Sequence, residues 1–377
     1  PMKLFHISDL HLGKRVYEFS MLEEQQELLQ TILYKIDTEK PDVLLITGDV
    51  YDKPIPPVEA VRLLDWFLTE LAERKLATYM IAGNHDSAQR LEFGKELIGR
   101  NGIHISGSVG EKIEQFIETD EFGEIRIWML PFFKPAHVNS MLEESVSSYG
   151  EAAKVLLDRV EIDFSHRNII LVHQFVTWKG TAEHSDSEMI SLGGVEEIDA
   201  SLLFGFDYAA LGHLHSPQRM GKDTVRYAGS PMPYSFSEIR QKKGITVVNL
   251  KEKGNISFDF IPLETKRKYR EIKGPLQGLI DAAKAEGGSE DYIRCILTNQ
   301  EALLDPIGQL RSVYPNLMTL EFAPRENGFE QEIAVDTEEI RPDELFAMFF
   351  EKQNEKELDE TQQKILGYIW KGLEGAE

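Results

Sequence analysis

Five short apolar runs in this chain each end on a cluster of Asp, Asn or His, and that pairing constrains the fold more than any other feature. The runs are Lys3–Ile7, Val43–Ile46, Thr78–Ile81, Asn168–Leu171 and Tyr208–Leu211. They are followed by Ser8-Asp9-Leu10-His11, Thr47-Gly48-Asp49 with Asp52, Gly83-Asn84-His85-Asp86, Val172-His173 and Gly212-His213-Leu214-His215, with Gly229-Ser230-Pro231 as a sixth piece. Short runs rich in β-branched and aromatic residues read as central strands buried on both faces. Glycines at the run ends let the backbone turn sharply. In an open α/β sheet the carboxyl ends of the strands face one crevice, so residues far apart in sequence meet there.

The residue types select the chemistry. Carboxylates, imidazoles and one amide oxygen make a mixed N/O donor set suited to Mn²⁺, Fe²⁺ or Zn²⁺, and a single cysteine argues against a thiolate site. Two such ions about 3.5–4 Å apart hold both sides of a phosphodiester and lower the pKa of an attacking water. A pair that close shares a carboxylate, and Asp49 is the natural bridge. Each piece alone is weak, since a lone His or a Gly-Asn-His-Asp turn arises by chance; the ordered set at strand ends does not. His6, His104, His137, His166 and His184 match no motif and are expected to be structural or exposed.

The motifs D-x-H, G-D-x-x-D, G-N-H-D, a lone His and G-H-x-H occur here in the order found in the calcineurin-like metallophosphoesterases, which this chain resembles. By position, the resemblance implies a first metal on Asp9, His11, Asp49 and His215 and a second on Asp49, Asn84, His173 and His213. It makes His85 the catalytic histidine, protonating the leaving oxygen or stabilising charge on the phosphate. Asp86 is expected to orient the His85 ring by a hydrogen bond. One departure stands at the fourth motif, where Val172 takes the place of the Gly that often precedes the His.

At 377 residues the chain is long enough for two or three domains. Cys295 lies in an apolar run, which excludes a disulfide framework and suits a reducing, cytoplasmic setting. No signal-peptide pattern and no apolar run near 20 residues occur, so nothing points to a membrane. Pro1 ahead of Met2 reads as a residue left from a cloned tag. The net charge of −23 speaks against nucleic acid on its face, because phosphate neutralisation dominates DNA affinity. Two basic runs are exceptions: Lys266-Arg267-Lys268 with Arg270 and Lys273, and Arg240 with Lys242 and Lys243. Each is a DNA-contact candidate or a solvated loop.

Residues 1–265 carry a βαβ pattern, with helical spacing over Ser20–Ile36 and Pro57–Lys75. Ile125–Pro131 reads as the strand that begins the second half of the sheet, and Gly244–Leu250 with Ile256–Ile261 as a hairpin around Gly254. The expected fold is α/β, a four-layer α/β/β/α core. Residues 266–340 read as a small α+β cap in strand, helix, strand, helix, strand order. Residues 341–377 hold two amphipathic helices, Asp343–Glu351 and Thr361–Leu373. Their apolar residues, among them Leu345, Phe346, Phe349, Leu366, Ile369 and Trp370, exceed what short solvated helices need, and partner binding is the favoured reading.

This three-part layout, with Ile7–Gly13, Gly83–Ser87 and Tyr227–Pro231, is similar to the bacterial SbcD family of nuclease subunits in double-strand-break repair. The resemblance implies a Mn²⁺-preferring DNA phosphodiesterase of DNA repair and recombination, a 3′ to 5′ exonuclease on duplex ends and an endonuclease on single strands or hairpins. It also implies a homodimer within a heterotetramer, an SbcC-like ABC ATPase on the C-terminal helices, and a cytoplasmic, nucleoid-associated location. Two readings compete: a phosphodiesterase for a small nucleotide, which the acidic charge favours, and a scaffold without chemistry, which the complete ligand set disfavours.

Overall fold

The computed structural model describes residues 1–188, 196–299, 301–324, 346–351 and 356–374, the side chains of 370–374 excepted. They form two compact units, Pro1–Ala323 and Pro324–Glu377.

The first unit opens with alternating strands and helices: β1 (Met2–Ile7), α1 (Leu22–Glu39), β2 (Val43–Thr47), α2 (Val58–Glu73), β3 (Ala77–Ile81) and β4 (Ile103–Ser106). An antiparallel pair follows, β5 (Glu114–Asp120) and β6 (Gly123–Leu130), then α3 (Pro135–Leu142) and α4 (Tyr149–Asp158). Next come β7 (Arg167–His173), β8 (Tyr208–Gly212), β9 (Gln218–Met220), β10 (Lys222–Tyr227) and the hairpin β11 (Gly244–Leu250) and β12 (Ile256–Pro262), which turns at Gly254 with φ 82°.

These strands make two six-stranded sheets, ordered β12-β11-β1-β2-β3-β4 and β9-β10-β8-β7-β6-β5. Ile125–Pro131 was expected to begin the second half of one sheet. Instead β6 lies in a separate sheet and is preceded by an edge strand, β5, whose half-exposed alternation Glu114-Gln115-Phe116-Ile117-Glu118 has little apolar signal. The central strands β1, β2, β3, β7 and β8 are buried almost throughout.

Side chains alternate across each strand, which produces three cores and four layers. Phe5, Ile7, Leu44, Ile46 and Met80 pack under α1 and α2, whose apolar stripes are Leu28, Leu29, Ile32 and Ile36, and Leu63, Leu64, Phe67 and Leu71. Leu4, Leu45 and Tyr79 face Ile127, Ile169, Leu171 and Tyr208 between the sheets. Trp128, Ile170, Ala209 and Leu211 pack against Val138 of α3 and Ala152 and Leu156 of α4. His6 sits in the inter-sheet layer, with Nδ1 2.7 Å from the Tyr208 hydroxyl and Nε2 2.9 Å from Thr47 Oγ1, so burial leaves no ring nitrogen unpaired.

Within the same unit, β13 (Tyr269–Gly274), α5 (Leu276–Glu286), β14 (Tyr292–Leu297), α6 (Pro306–Arg311) and β15 (Leu317–Phe322) form a three-stranded parallel sheet with its own core around Ile280, Ile293, Cys295, Leu310 and Leu317. Tyr269 and Tyr292 extend into the core under α1 and α2. Arg267 bonds Glu23 at 3.0 Å and the buried Glu24 at 2.8 Å.

In the second unit, residues 346–351 and α7 (Glu360–Glu374) are helical. They border a groove whose lining includes Ala347, Leu358 and Leu366. Phe346, Phe349 and Ile369 are exposed and Leu366 is half-buried. Leu345 and the side chain of Trp370 lie outside the described residues.

Candidate metal centre

The loop after β1 runs beside the loop after β2: Asp9 N–H donates to Gly48 O, His11 N–H to Asp49 O and Leu12 N–H to Val50 O, at 3.0, 2.9 and 2.9 Å. These bonds carry the parallel pairing past the strand ends and fix Asp9 and His11 against Asp49. Four candidate ligands hold the left-handed backbone that side chains disfavour: Asp9 (φ 53°), His11 (φ 44°), Asp49 (φ 48°) and His213 (φ 112°). Such strain concentrates where geometry is over-determined for a purpose.

The two sheets meet through glycine at this end. Between the sheets, a Cβ on Gly212 would lie 1.9 Å from Thr47 O; within the first sheet, one on Gly83 would lie 2.1 Å from Asp49 Oδ1. No side chain fits at either position, so the strand ends approach closely enough for ligands from both sheets to share one space.

Asp9, His11, Asp49, Asn84, His85, His173, His213 and His215 all converge there. Asp49 Oδ2 is central, 3.6 Å from His11 Nε2, 3.4 Å from His173 Nε2 and 4.0 Å from His85 Nε2. Asn84 Oδ1 lies 3.0 Å from both His173 Nε2 and His213 Nδ1. Both Asp9 oxygens accept from His213 N–H at 3.2 Å. Among the described residues, three groups bring donor atoms within 4.8 Å of one another: Asp9, His11 and His215; Asp49, His173 and His213; and His11, Asp52 and His85.

The protons decide whether these groups fit a cation. His173 Nδ1–H donates to Thr47 O at 2.7 Å, which turns its Nε2 towards the Asn84 oxygen. His215 Nδ1 faces Glu238 Oε1 at 3.2 Å, and His11 Nδ1 lies 3.4 Å from Asp52 Oδ1 without a hydrogen bond that satisfies that buried nitrogen. Carboxylates beside both Nδ1 atoms favour protons there and turn the two Nε2 atoms towards each other across 3.1 Å. Carboxylate, amide and imidazole atoms that converge in this way make a mixed N/O donor set, which fits a pair of divalent ions.

The electrostatics agree. Burial depresses the imidazoles of His11, to about 4, and His213, to about 3. Burial would also raise Asp49, but His173, His11 and His85 hold it well below the usual carboxylate range. Burial opposes protonation of His173 as well, yet Asp49 at contact range raises it to about 9. A charged imidazole there stands in for positive charge that metal ligation would supply.

One role differs from the sequence expectation. Asp86 makes no hydrogen bond to the His85 ring. Its carboxylate accepts from the N–H groups of Val50, Tyr51 and Gly83, at 3.1, 2.8 and 2.8 Å, and so ties the second motif loop to the third. The His85 ring is held instead by the Asp52 carbonyl, 2.9 Å from Nδ1, which leaves Nε2 facing the site. Backbone carbonyls carry no sequence signal, so the motif pointed to the adjacent carboxylate.

Sequence reasoning also missed the residues behind His215. Lys243, grouped with a basic run, is buried and paired with the equally buried Glu238 at 2.6 Å. Arg240 and Lys242 are exposed, as are Lys266 and Lys268, whereas Arg267 is engaged by Glu23 and Glu24. Asp52 carried a signal, the second Asp of its motif, and its carboxylate takes Lys14 at 2.8 Å.

The sequence profile of the calcineurin-like phosphoesterases matches residues 2–217, and the SbcD_C profile, described as a type 5 capsule protein repressor C-terminal domain, matches residues 265–354. The SbcD subunit of the SbcCD nuclease from Staphylococcus epidermidis is 30% identical over 376 residues, 98% of each chain. Among solved structures, a dimetal phosphatase from Danio rerio aligns at 13% identity over 70% of this chain and 97% of its own, with a TM-score of 0.41. TT1561 of Thermus thermophilus aligns at 14% identity over 69% and 98%, with a TM-score of 0.40. With the phosphoesterase profile spanning both sheets' motif loops and the SbcD likeness running nearly end to end, this chain belongs to the calcineurin-like phosphoesterase family, in its SbcD branch of nuclease subunits.

Proposed function

We propose that this chain is the nuclease subunit of an SbcCD-type complex and hydrolyses DNA phosphodiesters with two divalent ions. The observation that carries the reading is the convergence of carboxylate, imidazole and amide donor atoms from both sheets around Asp49 Oδ2. Asp9, His11, Asp49 and His215 would hold one ion, and Asp49, Asn84, His173 and His213 the other, with Mn²⁺ the proposed metal. When bound, the pair supplies positive charge to the phosphate oxygens and lowers the pKa of a nearby water.

His85 is the proposed catalytic residue. The Asp52 carbonyl fixes its ring, and its Nε2 faces the site with the side chain 17% exposed, within reach of a substrate. In that position it would give a proton to the departing 3′ oxygen or place positive charge beside it. Asp86 would act at one remove, by holding the loops that carry Asp49 and His85.

The finer activity follows the family likeness: 3′ to 5′ cutting of duplex ends and endonuclease action on single strands and hairpins. Residues 1–265 would be the nuclease domain and 266–340 the DNA-binding cap. Arg240, Lys266 and Lys268 are exposed for phosphate contacts; Arg267 would reach DNA only by leaving its glutamates. Residues 341–377 would dock an SbcC-like ABC ATPase through Leu345, Phe346, Phe349, Leu366, Ile369 and Trp370, in a heterotetramer built on a homodimer of this chain. A cytoplasmic, nucleoid-associated site of action accompanies that reading. No helix among the described residues is long and apolar enough to cross a membrane.

The test is cleavage of end-labelled duplex and hairpin DNA with Mn²⁺, beside a small chromogenic phosphodiester, by wild type and His85→Ala. The expected result is metal-dependent DNA cleavage that falls on the order of 10²–10⁴-fold in the variant, with both ions still bound by calorimetry. Turnover of the small diester alone would overturn the nuclease reading. Loss of bound metal in His85→Ala would make His85 a ligand, as its grouping with His11 and Asp52 permits.

A further inference from the structure

Glu238 and Lys243 lie outside every metal motif, yet both are fully buried behind the site and joined at 2.6 Å. Lys243 Nζ also lies 2.8 Å from the His215 carbonyl, from Ser230 Oγ and from Gln241 Oε1. The two Glu238 oxygens collect Ser187, Ser185, Ser235 and Ser230 hydroxyls in addition to the lysine. An ion pair this deep adds little stability by itself, since apolar replacements of such pairs are often neutral or stabilising. Its position suggests another purpose.

Glu238 Oε1 lies 3.2 Å from His215 Nδ1, and Ser187 Oγ, bonded to the same carboxylate, lies 2.8 Å from that nitrogen. An acceptor-only carboxylate beside Nδ1 holds a proton there and turns Nε2 towards His11. Tyr234 packs beside both rings, with centroids 6.0 Å from His215 and 5.6 Å from His11. At the other candidate position His173 is oriented by a neutral group, the Thr47 carbonyl. A carboxylate behind an imidazole raises its strength as a ligand more than a carbonyl does.

Resting on the two-ion reading above, we infer that Glu238, itself held by Lys243, is a positioning residue for His215: it keeps the proton on Nδ1, aims Nε2 at the position shared with Asp9 and His11, and sets the affinity of that position for its ion.

The experiment is Mn²⁺ titration calorimetry on the full chain, comparing wild type, Glu238→Gln and the double variant Glu238→Gln with Lys243→Met, which removes both buried charges together. Two ions bind wild type; in the folded double variant one is weakened about 10–100-fold and the other is unchanged. Metal-free thermal unfolding run in parallel identifies the folded variants. Two unchanged affinities in a folded double variant overturn the inference and leave the two-ion reading intact. No binding to wild type overturns that reading itself. Should neither variant fold, the ¹⁵N shifts of His215 in the metal-free wild-type chain decide: a proton on Nδ1 supports the inference, and a bare Nδ1 with the proton on Nε2 overturns it.

Discussion

Strand β7 ends on His173 and begins on Arg167, so its two ends, about 20 Å apart, sample two very different polar regions of one seam between the sheets. At the Arg167 end every charge has an internal partner. The buried guanidinium bonds Asp120, the Lys251 carbonyl at 2.8 Å and the Gly123 carbonyl at 2.7 Å. Nearby Lys253 bonds Asp207, which also accepts from Asn168 N–H at 2.7 Å. At the His173 end the arrangement is inverted: carboxylate, amide and imidazole atoms crowd together, four candidate ligands sit in left-handed backbone, and the paired Lys14 and Lys243 stand behind them. One end is closed and stabilises the fold. The other gathers the candidate ligands in strained backbone, an arrangement that costs stability.

Substitutions at the two ends should therefore differ in sign as well as size. The largest effect is expected from Arg167→Ala, which strands a carboxylate and two carbonyls: about 3–5 kcal/mol lost in denaturant unfolding, with Mn²⁺ affinity of the folded protein unchanged. A metal-binding defect there would break the division between the ends.

Asp9→Asn should act the other way. Burial lifts the Asp9 carboxyl to about 6, from an ordinary 3.8. A carboxyl raised on folding contributes its stability fully below the unfolded pKa and loses it as pH rises through the folded one. At about pH 7 the metal-free variant should thus be more stable than wild type by up to about 3 kcal/mol, a gap that closes near about pH 4. Urea unfolding in chelator across that range checks this, and calorimetry should show the gain matched by weakened Mn²⁺ binding. A variant as destabilised as Arg167→Ala would mean the site end is not held at a cost.

The smallest effect belongs to Lys253→Ala. Its side chain is 39% exposed, so screening limits the loss to under about 1 kcal/mol although Asp207 is buried. A larger loss would extend the closed network to the surface.

Much of this contrast was legible only at the site end. Asp9, Asp49, Asn84, His173, His213 and His215 were legible as candidate ligands because ligand chemistry resides in side-chain identity, and the apolar runs before them place each at a strand end. The element order after residue 265 and the Gly254 hairpin were readable for a similar reason: turn residues and periodicity are local signals. Arg167 was not, since nothing near it in sequence says that a strand-opening arginine meets Asp120 and Lys251 O. Lys243 was read with the exposed Arg240 and Lys242 because a sequence shows charge but not burial. Strand β5 escaped because an edge strand with one half-exposed face needs few apolar residues.

By itself, the sequence determined the kind of chemistry: a mixed carboxylate, imidazole and amide donor set, ordered at strand ends, in a helix-covered double sheet. The tertiary structure decided which nitrogen of each imidazole faces the site, that a carbonyl rather than Asp86 holds His85, and that Glu238 and Lys243 stand behind His215. The physical reason is range. Strand formation and ligand identity are settled within a few residues, whereas a ring's tautomer and a lysine's burial depend on partners brought together from both sheets and the loops between them.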